Sequence, residues 1–368
     1  MDLSLCIETG CNAGCGSHGE LEESHMGEQL KRDGYLDFLK GLAVVLVVVG
    51  HCIQFGQGEA VLQGRTFFDD WAFRSIYSFH MPLFALISGW LFGASIERHG
   101  LSAQMLAHRC LSLVAPIVSF GVLSYMVQCL FGQAELGIKD LLSHVAYQLW
   151  FLYAMISCSV VVAALRTFAG DSLIAYVMAC GLTIFAPLLL NLHEHAFVFP
   201  FFTGGYLLRS KMNASIGGGC QNRLSPFCLT ATALWGLGMV FWNNDAFIYT
   251  SGMSVIDGGP IQVAIDCYRF VMGTLGCASC VGLARYGYDK LIAFPRFKGC
   301  LEQVGRKSLG IYCITSYLNP VLAILTAGAC PSPLLVIAES VVILVIGHLA
   351  TWILASNKVL SFCFLGGR

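Results

Sequence analysis

The chain has 368 residues, of which 56% are hydrophobic and only 12% are charged, and its formal net charge is −1. A soluble domain carries about 25% charged residues, so the composition excludes a soluble enzyme and favours a membrane protein. It also excludes a disordered chain, which needs low hydrophobicity, and a nucleic-acid binder, which needs net positive charge.

The first 33 residues differ from the rest because they are polar and contain neither a basic n-region nor an apolar core of signal-peptide length. Their cysteines and histidines match no standard zinc spacing, so no metal site is predicted. Many other cysteines lie in apolar runs, where a thiol behaves as a small hydrophobe. The sequence therefore predicts a mobile cytosolic tail over residues 1–33 and a transmembrane domain over residues 34–368.

A helix of about 20 apolar residues spans the hydrocarbon layer, and this window gives ten candidate helices. In chain order they are Leu36–Phe55, Ser75–Ala94, Cys110–Gly132, Val145–Leu165, Leu173–Leu192, Ala196–Leu208, Cys228–Trp242, Ile261–Ala284, Leu309–Ala327 and Leu334–Leu354. The sixth and seventh are short. The sixth also contains Pro200 and a Gly-Gly pair, so it is compatible with a straight span or with a tilted, broken or re-entrant segment.

The orientation follows from the basic residues, because cytoplasmic loops accumulate Lys and Arg. With a cytosolic N-terminus and ten spans, 16 of the 21 Lys and Arg residues fall on the cytosolic side. Only Arg65, Arg74 and Lys139 fall outside. This asymmetry predicts a plasma-membrane protein with both termini in the cytosol.

The first predicted helix contains three ionisable residues, Asp37, Lys40 and His51. Such residues cost about 3 kcal/mol or more each within a span and mark candidate functional sites. Lys40 and His51 lie within about 20° of one helix face and about 16 Å apart along the axis. Lys40 is then a candidate phosphate ligand at the cytosolic mouth, and His51 a deep candidate base. The alternative is that Lys40 extends to the interface while His51 is a hydrogen-bonded core residue.

The second predicted helix carries His80 in the segment Ser-Phe-His-Met-Pro-Leu-Phe. His80 is about five residues inside the outer boundary, at a depth similar to that of His51. Two histidines at one level favour a catalytic site, and Pro82 can kink the helix around it. The alternative is a proline-kinked structural turn in which His80 caps a neighbouring helix.

These motifs resemble the acyltransferase 3 family of integral membrane O-acyltransferases, in the branch related to fucose 4-O-acetylases. Lys40 followed by ten residues and His51 is similar to the basic-x10-His signature of the family, and Ser78–Phe84 with Ser88-Gly89 is similar to its second motif. The resemblance continues through Leu149–Tyr153, Pro200–Leu208, Tyr268-Arg269 and Gly305–Tyr312, and so covers about residues 34–365. Lys40 stands where arginine is commoner, which keeps the charge but loses the bidentate geometry. Thr315 stands where many relatives have a histidine, so no catalytic role is predicted there.

The resemblance implies an all-α, ten-helix enzyme that moves an acyl group, most simply acetyl, from cytosolic acyl-CoA to a hydroxyl of a cell-envelope carbohydrate or glycolipid. Its predicted partners are thus acyl-CoA as co-substrate, the glycan acceptor and the lipid bilayer, with no further cofactor. The predicted site residues are His51 and His80 for catalysis, Lys40, Arg109 and Asp37 for acyl-CoA binding, and Trp150, Arg269 and Ser88 for acceptor binding.

The residues themselves leave alternatives open. The alternative for Arg109 is a loop residue that only marks the cytosolic side, and the alternative for Trp150 is an aromatic anchor at the membrane interface. Arg269 is equally compatible with a structural ion pair to Asp266. Cys52 adjoins His51, but neighbours in a helix point about 100° apart, which favours direct attack by the acceptor over an acyl-cysteine intermediate. The rival function is a transporter of an acylated glycan, for which no inverted repeat is visible.

Overall fold

The computed structural model describes residues 34–130, 136–170, 172–187, 191–212 and 224–367. The predicted tail over residues 1–33 lies outside this described part. Every regular element within these ranges is helical, and Tyr35–Arg368 form one compact unit. The fold class predicted from the sequence, an all-α polytopic membrane protein, is confirmed.

Fifteen α-helices occur within the described ranges. They are α1 (Gly34–Phe55), α2 (Glu59–Gly64), α3 (Trp71–His99), α4 (Ala103–Leu130), α5 (Ile138–Gln148), α6 (Trp150–Ala169), α7 (Leu173–Leu182), α8 (Leu192–Met212), α9 (Pro226–Met239), α10 (Ile248–Ser251), α11 (Val255–Lys290), α12 (Pro295–Arg306), α13 (Ser308–Leu325), α14 (Pro333–Ala355) and α15 (Lys358–Leu365). Short 3-10 turns at Thr66–Asp69 and Asn244–Ala246 matter for the site described below.

Seven described helices are long and apolar enough to cross a membrane, namely α1, α3, α4, α6, α11, α13 and α14. The predicted fifth and seventh spans correspond to α7 and α9, which have 10 and 14 residues. Each predicted segment therefore overlaps a helix, although the fourth joins the end of α5 to α6. The count of ten membrane spans is not confirmed by helix length and composition.

The predicted sixth segment becomes α8, a helix of 21 residues that continues through Pro200. It is longer than predicted because the polar residues on both flanks of the apolar run are also helical. At 1.5 Å per residue it is about 31 Å long. The helix is therefore not broken at the proline. By contrast, α11 is interrupted at Gly259, whose φ of 67° lies in the left-handed region, just before Pro260.

The helix α3, which carries His80, packs closely against α8. A Cβ atom on Gly89 would collide with the carbonyl of Phe202, and one on Gly205 would collide with the carbonyl of Leu86. Small residues allow two helix backbones to approach in this way in membrane proteins. Gly205, the second residue of the Gly-Gly pair singled out in the sequence, therefore serves helix packing against α3.

The end of α12 lies against the first turns of α1. A Cβ atom on Gly305 would collide with the carbonyl of Asp37, and one on Gly41 would collide with the carbonyl of Leu301. This contact places Arg306 at the same end of the molecule as Lys40. The structure thus groups basic residues that the sequence assigns to the cytosolic side.

The outer faces of several helices remain apolar and uncovered. On α14, nine large hydrophobic side chains are more than a third exposed, namely Leu334, Ile337, Val341, Val342, Val345, Ile346, Leu349, Trp352 and Ile353. A soluble protein rarely exposes so continuous an apolar surface, whereas a bilayer covers it without cost. These faces therefore agree with a multi-pass membrane protein.

Candidate active site

A cavity of about 270 Å³ lies where α1, α3 and α13 meet the ends of α5 and α6. Its wall consists of Val47, His51, Gln54, Phe55, Phe67, Phe68, Phe73, Tyr77, His80, Met81, Gln148, Trp150, Tyr249, Tyr312, Ser316 and Asn319. The structure thus brings His51 from α1 and His80 from α3 to one cavity, together with Trp150. Half of the wall is Phe, Tyr or Trp, and the rest includes four uncharged polar side chains besides the histidines.

The His80 ring is held by its own helix. Its Nδ1 lies 2.8 Å from the carbonyl oxygen of Ile76, and His80 is only 3% exposed. Because a carbonyl accepts and cannot donate, Nδ1 carries the proton, and the Nε2 of the neutral ring keeps a lone pair. His80 therefore does not cap a neighbouring helix, and it offers a hydrogen-bond acceptor at Nε2.

The second histidine has a different environment. His51 is half-buried, and its Nδ1 has no hydrogen-bond partner among the residues that the structure describes. The Phe55 ring lies edge-on to the His51 ring, at 6.1 Å between centroids. A buried ring nitrogen without a partner is costly unless it serves a ligand. This finding disfavours the interpretation of His51 as a satisfied core histidine.

Tyr77 links the two histidine-bearing helices. Its hydroxyl donates to Oε1 of Gln54 on α1 at 3.2 Å, and its ring centroid lies 4.6 Å from that of His80. A Cβ atom on Gly50 would lie 2.9 Å from the Tyr77 ring, so a glycine is needed one residue before His51. The relative position of His51 and His80 thus depends on this aromatic contact.

A loop over residues 243–252, here called the Tyr249 loop, closes one side of the cavity. The Tyr249 ring lies 6.2 Å from Tyr77 and 6.3 Å from Trp150 between centroids. Burial raises the pKa of the Tyr249 phenol well above its usual range, and the nearby Glu194 carboxylate and the Tyr77 and Tyr312 phenols raise it further. Tyr249 is therefore a neutral hydroxyl in the cavity wall.

Arg269 holds the Tyr249 loop in place. Its guanidinium pairs with Asp266 at 2.8 Å and donates to the carbonyls of Ala246 at 2.9 Å and Gly252 at 2.8 Å. It also donates to the hydroxyl of Ser251 at 2.6 Å. Arg269 is only 1% exposed, and its Nε, Nη1 and Nη2 atoms all donate hydrogen bonds within the protein. The structure therefore favours the structural role over direct contact with an acceptor hydroxyl.

The family model for the acyltransferase domain of the acyltransferase 3 family matches residues 33–356 of this chain. The chain belongs to the acyltransferase 3 family. Two curated relatives are nodulation proteins called NolL. The one from Mesorhizobium japonicum is 26% identical over 268 residues, which cover 66% of this chain and 70% of the relative. The one from Sinorhizobium fredii is 26% identical over 294 residues, which cover 77% of both chains. No solved structure matches the chain.

The family match means that the chain is a membrane O-acyltransferase, and it covers every residue predicted for the site. At the opposite end of α1 from His51, the acyltransferase carries the predicted Lys40–Asp37 pair. Lys40 Nζ lies 2.6 Å from Asp37 Oδ1, and the Lys40 side chain is 17% exposed. The i,i+3 pairing expected from the sequence is therefore present in the structure.

Arg109 is more than a loop residue in the acyltransferase, because it lies within α4 and reaches the interior. Its Nε donates to Ser159 Oγ at 2.9 Å, and its Nη2 donates to the carbonyl of Ser88 at 3.5 Å. Ser88, predicted to bind the acceptor, is two turns and about 12 Å along α3 from His80. The structure thus places Ser88 with Arg109 and not on the wall that His80 lines.

Cys52 is fully buried and is not among the residues that line the described cavity. Its position beside His51 in the sequence turns it away from the cavity, as the 100° step of a helix predicts. This placement agrees with direct transfer to the acceptor.

Much of the cavity wall of the acyltransferase has no signal in the sequence. Tyr249 lies in a loop without a motif, and Gln148 ends an amphipathic helix that the hydropathy window merged with the next span. Asn319 carried a usable signal, since it is a polar residue inside an apolar run and precedes Pro320. Buried polar side chains in membrane helices usually have a partner, so an intramembrane asparagine is a site candidate.

Proposed function

We propose that this acyltransferase moves an acetyl group from cytosolic acetyl-CoA to a hydroxyl of a cell-envelope carbohydrate or glycolipid. One observation carries the proposal, namely that His51 and His80 line a single cavity. A base close to the acceptor hydroxyl is what acyl transfer to an alcohol requires, since the neutral hydroxyl is a weak nucleophile.

His51 is the general base in this mechanism. The acceptor hydroxyl attacks the thioester carbonyl while His51 takes its proton, and collapse of the tetrahedral intermediate breaks the carbon–sulfur bond. The CoA thiolate leaves and receives the proton from His51, so the products are an ester and free CoA thiol. His80, with its proton held at Nδ1 by the Ile76 carbonyl, accepts at Nε2 a hydrogen bond from a neighbouring hydroxyl of the acceptor and so orients the attacking hydroxyl toward His51.

The donor binds at the other end of α1. Lys40 and Arg109 are the basic residues that hold the CoA phosphates, and Asp37 orients Lys40 through their ion pair. Lys40 and His51 share a helix face over about 16 Å, a length that the extended pantetheine arm spans. Ser88 belongs to this route because its carbonyl accepts from Arg109.

The proposed location is the plasma membrane, with both termini in the cytosol. This orientation is supported by the distribution of Lys and Arg, which puts Lys40 at the cytosolic face and the histidines toward the outer face. The donor then arrives from the cytosol and the acceptor from the outer side.

The test is to incubate the purified protein in nanodiscs with acetyl-labelled acetyl-CoA and a panel of envelope glycans and glycolipids. The expected result is label in an alkali-labile ester on a carbohydrate hydroxyl, absent with the His51→Ala variant. Label that remains in acetyl-CoA with every glycan would contradict the proposed donor and acceptor.

A further inference from the structure

We propose that Asn319 and Gln148 recognise the acceptor, and that the cavity takes one neutral pyranose ring whose hydroxyls donate to their amide oxygens. This inference rests on the proposed function, because it names the acceptor of the same site. The observations that carry it are the state of the two amides, the composition of the wall and the charge of the cavity.

The two amide oxygens are unsatisfied hydrogen-bond acceptors. Asn319 is 8% exposed, and neither its Oδ1 nor the Oε1 of Gln148 has a hydrogen-bond partner among the described residues. A buried carbonyl oxygen without a partner costs about 1–3 kcal/mol. Both residues line the same cavity as His51. A ligand that brings hydroxyl donors to this cavity satisfies both amides while it presents a further hydroxyl to the imidazole.

The rest of the wall matches the shape of a sugar ring. Aromatic rings from Tyr77, Trp150, Tyr249 and Tyr312 supply apolar faces, which suit the C–H faces of a pyranose. The uncharged polar groups occupy the remaining wall, which suits its hydroxyl-bearing edge. An acyl chain offers no donor to the amides, and a purely apolar wall would suit it better. At about 270 Å³ the cavity lies just below the usual range of ligand sites, about 300–1,000 Å³, so it holds one ring.

The cavity also favours neutral ligands over charged ones. None of its described lining residues is an Asp, Glu, Lys or Arg. Arg269 lines only a small adjoining space of about 10 Å³, and its donors are engaged by Asp266 and the Tyr249 loop. A uronic acid or a phosphosugar would therefore bury its charge without a counter-ion, which is strongly unfavourable. The expected ring is neutral.

The experiment measures binding of four probes to the purified protein by calorimetry, with turnover from acetyl-CoA recorded in parallel. The probes are the methyl pyranosides of fucose, galactose and glucose, which are neutral, and methyl glucuronide, which is anionic. We expect at least one neutral probe to bind, with the glucuronide about 10-fold weaker or more. Asn319→Ala and Gln148→Ala should each weaken the neutral probe about 10-fold, the scale of one lost hydrogen bond.

Two controls make the result specific. Gln303→Ala removes an exposed amide on α12 and should leave binding unchanged. Asn319→Asp keeps an oxygen acceptor and should bind the neutral probe better than Asn319→Ala. Monodeoxy forms of the bound probe complete a double-mutant cycle. Removing the hydroxyl that donates to Asn319 should weaken binding to the wild-type protein about 10-fold, and it should not weaken binding to Asn319→Ala any further.

The proposal is overturned if no neutral pyranoside binds, if the glucuronide binds as well, or if both amide variants of folded protein bind like wild type. Failure of the proposed function is a separate result. In that case amide-dependent sugar binding persists while no acetyl group is transferred. If acetyl transfer to a glycan occurs and neither amide variant changes its rate, the proposed function is supported and this inference is contradicted.

Discussion

At the scale of single residues, the two histidines differ in what the protein does with them. His80 is fixed by a 2.8 Å bond to the carbonyl of Ile76, whereas Nδ1 of His51 has no partner within the described part of the chain. A fixed ring suits orientation of a hydroxyl, and a ring without a partner suits proton transfer to a bound ligand. The roles assigned to them follow from this difference.

The first prediction concerns His51. His51→Ala should lower the rate of acyl transfer about 100-fold or more, because that is the usual contribution of a general base. The measurement is single-turnover transfer of labelled acetyl groups, with the thermal unfolding midpoint recorded to show that the variant is folded. His144→Ala, which removes a histidine that is bonded to Ser124 and does not line the cavity, is the matched control. Near-normal turnover by His51→Ala would remove the base assignment.

The second prediction concerns the donor end of the molecule. Lys40→Gln and Arg109→Gln should each weaken CoA binding about 10-fold or more, since a charge-assisted bond to a phosphate is lost. Acceptor binding should change little. Titrations with CoA and with dephospho-CoA identify the phosphate that each residue contacts. Wild-type CoA affinity in both variants would mean that the donor enters elsewhere.

At the scale of elements, the Tyr249 loop depends on α11. Arg269 and Asp266 lie one turn apart on α11, and Gln262 donates to Asp266 Oδ1 at 2.9 Å one turn earlier. Through Arg269 this row of side chains holds four backbone carbonyls of the loop, at residues 245, 246, 247 and 252. A loop whose own helix has only four residues is thereby fixed against the cavity.

The third prediction tests this arrangement. Arg269→Lys keeps the charge next to Asp266, but three donors on one nitrogen cannot hold all four loop carbonyls, and each carbonyl buried without a partner costs about 1–3 kcal/mol. We expect a lower unfolding midpoint, a loop that is cleaved faster by protease, and an acceptor kcat/KM about 100-fold lower with an unchanged KM for acetyl-CoA. Arg209→Lys alters a partly exposed pair with Glu97 and is the control. Equal rises in both KM values would contradict a role confined to the acceptor side.

At the scale of the whole molecule, the proposed mechanism assigns the two ends of α1 to different substrates. Asp37 and Lys40 lie at one end beside α12, and His51 lies toward the other end in the cavity wall. The lipid-facing surfaces of α14 and α4 surround this arrangement with apolar side chains. Which end faces the cytosol decides which substrate each end receives.

The fourth prediction is the topology itself. Single cysteines at Arg98 and Lys298 should be protected in intact cells from an impermeant maleimide, and single cysteines at Asp140 and Asp245 should react, in a cysteine-free background. The charge distribution requires this division, because cytoplasmic loops collect Lys and Arg. Labelling at Lys298 from outside would show that one of the helices before it does not cross the membrane, and the first candidates are α7 and α9, which have only 10 and 14 residues.

The sequence by itself determined the class of the protein and the positions of most apolar helices, and it singled out the two histidines that the structure brings to one cavity. Those features depend on local composition and on the 100° step of a helix, which can be read along the chain. The Lys40–Asp37 pair was predictable for the same reason, since both residues lie on one turn of α1.

The tertiary structure alone decided the rest of the site. Tyr249, Gln148 and Asn319 come from three separate parts of the chain, and only packing brings them to the cavity that His51 lines. Arg269 shows the same limit, because its sequence neighbourhood allowed either an ion pair or an acceptor contact. Its hydrogen bonds to a loop some twenty residues earlier favour the structural role, and no local pattern encodes contacts between segments that are distant in the chain.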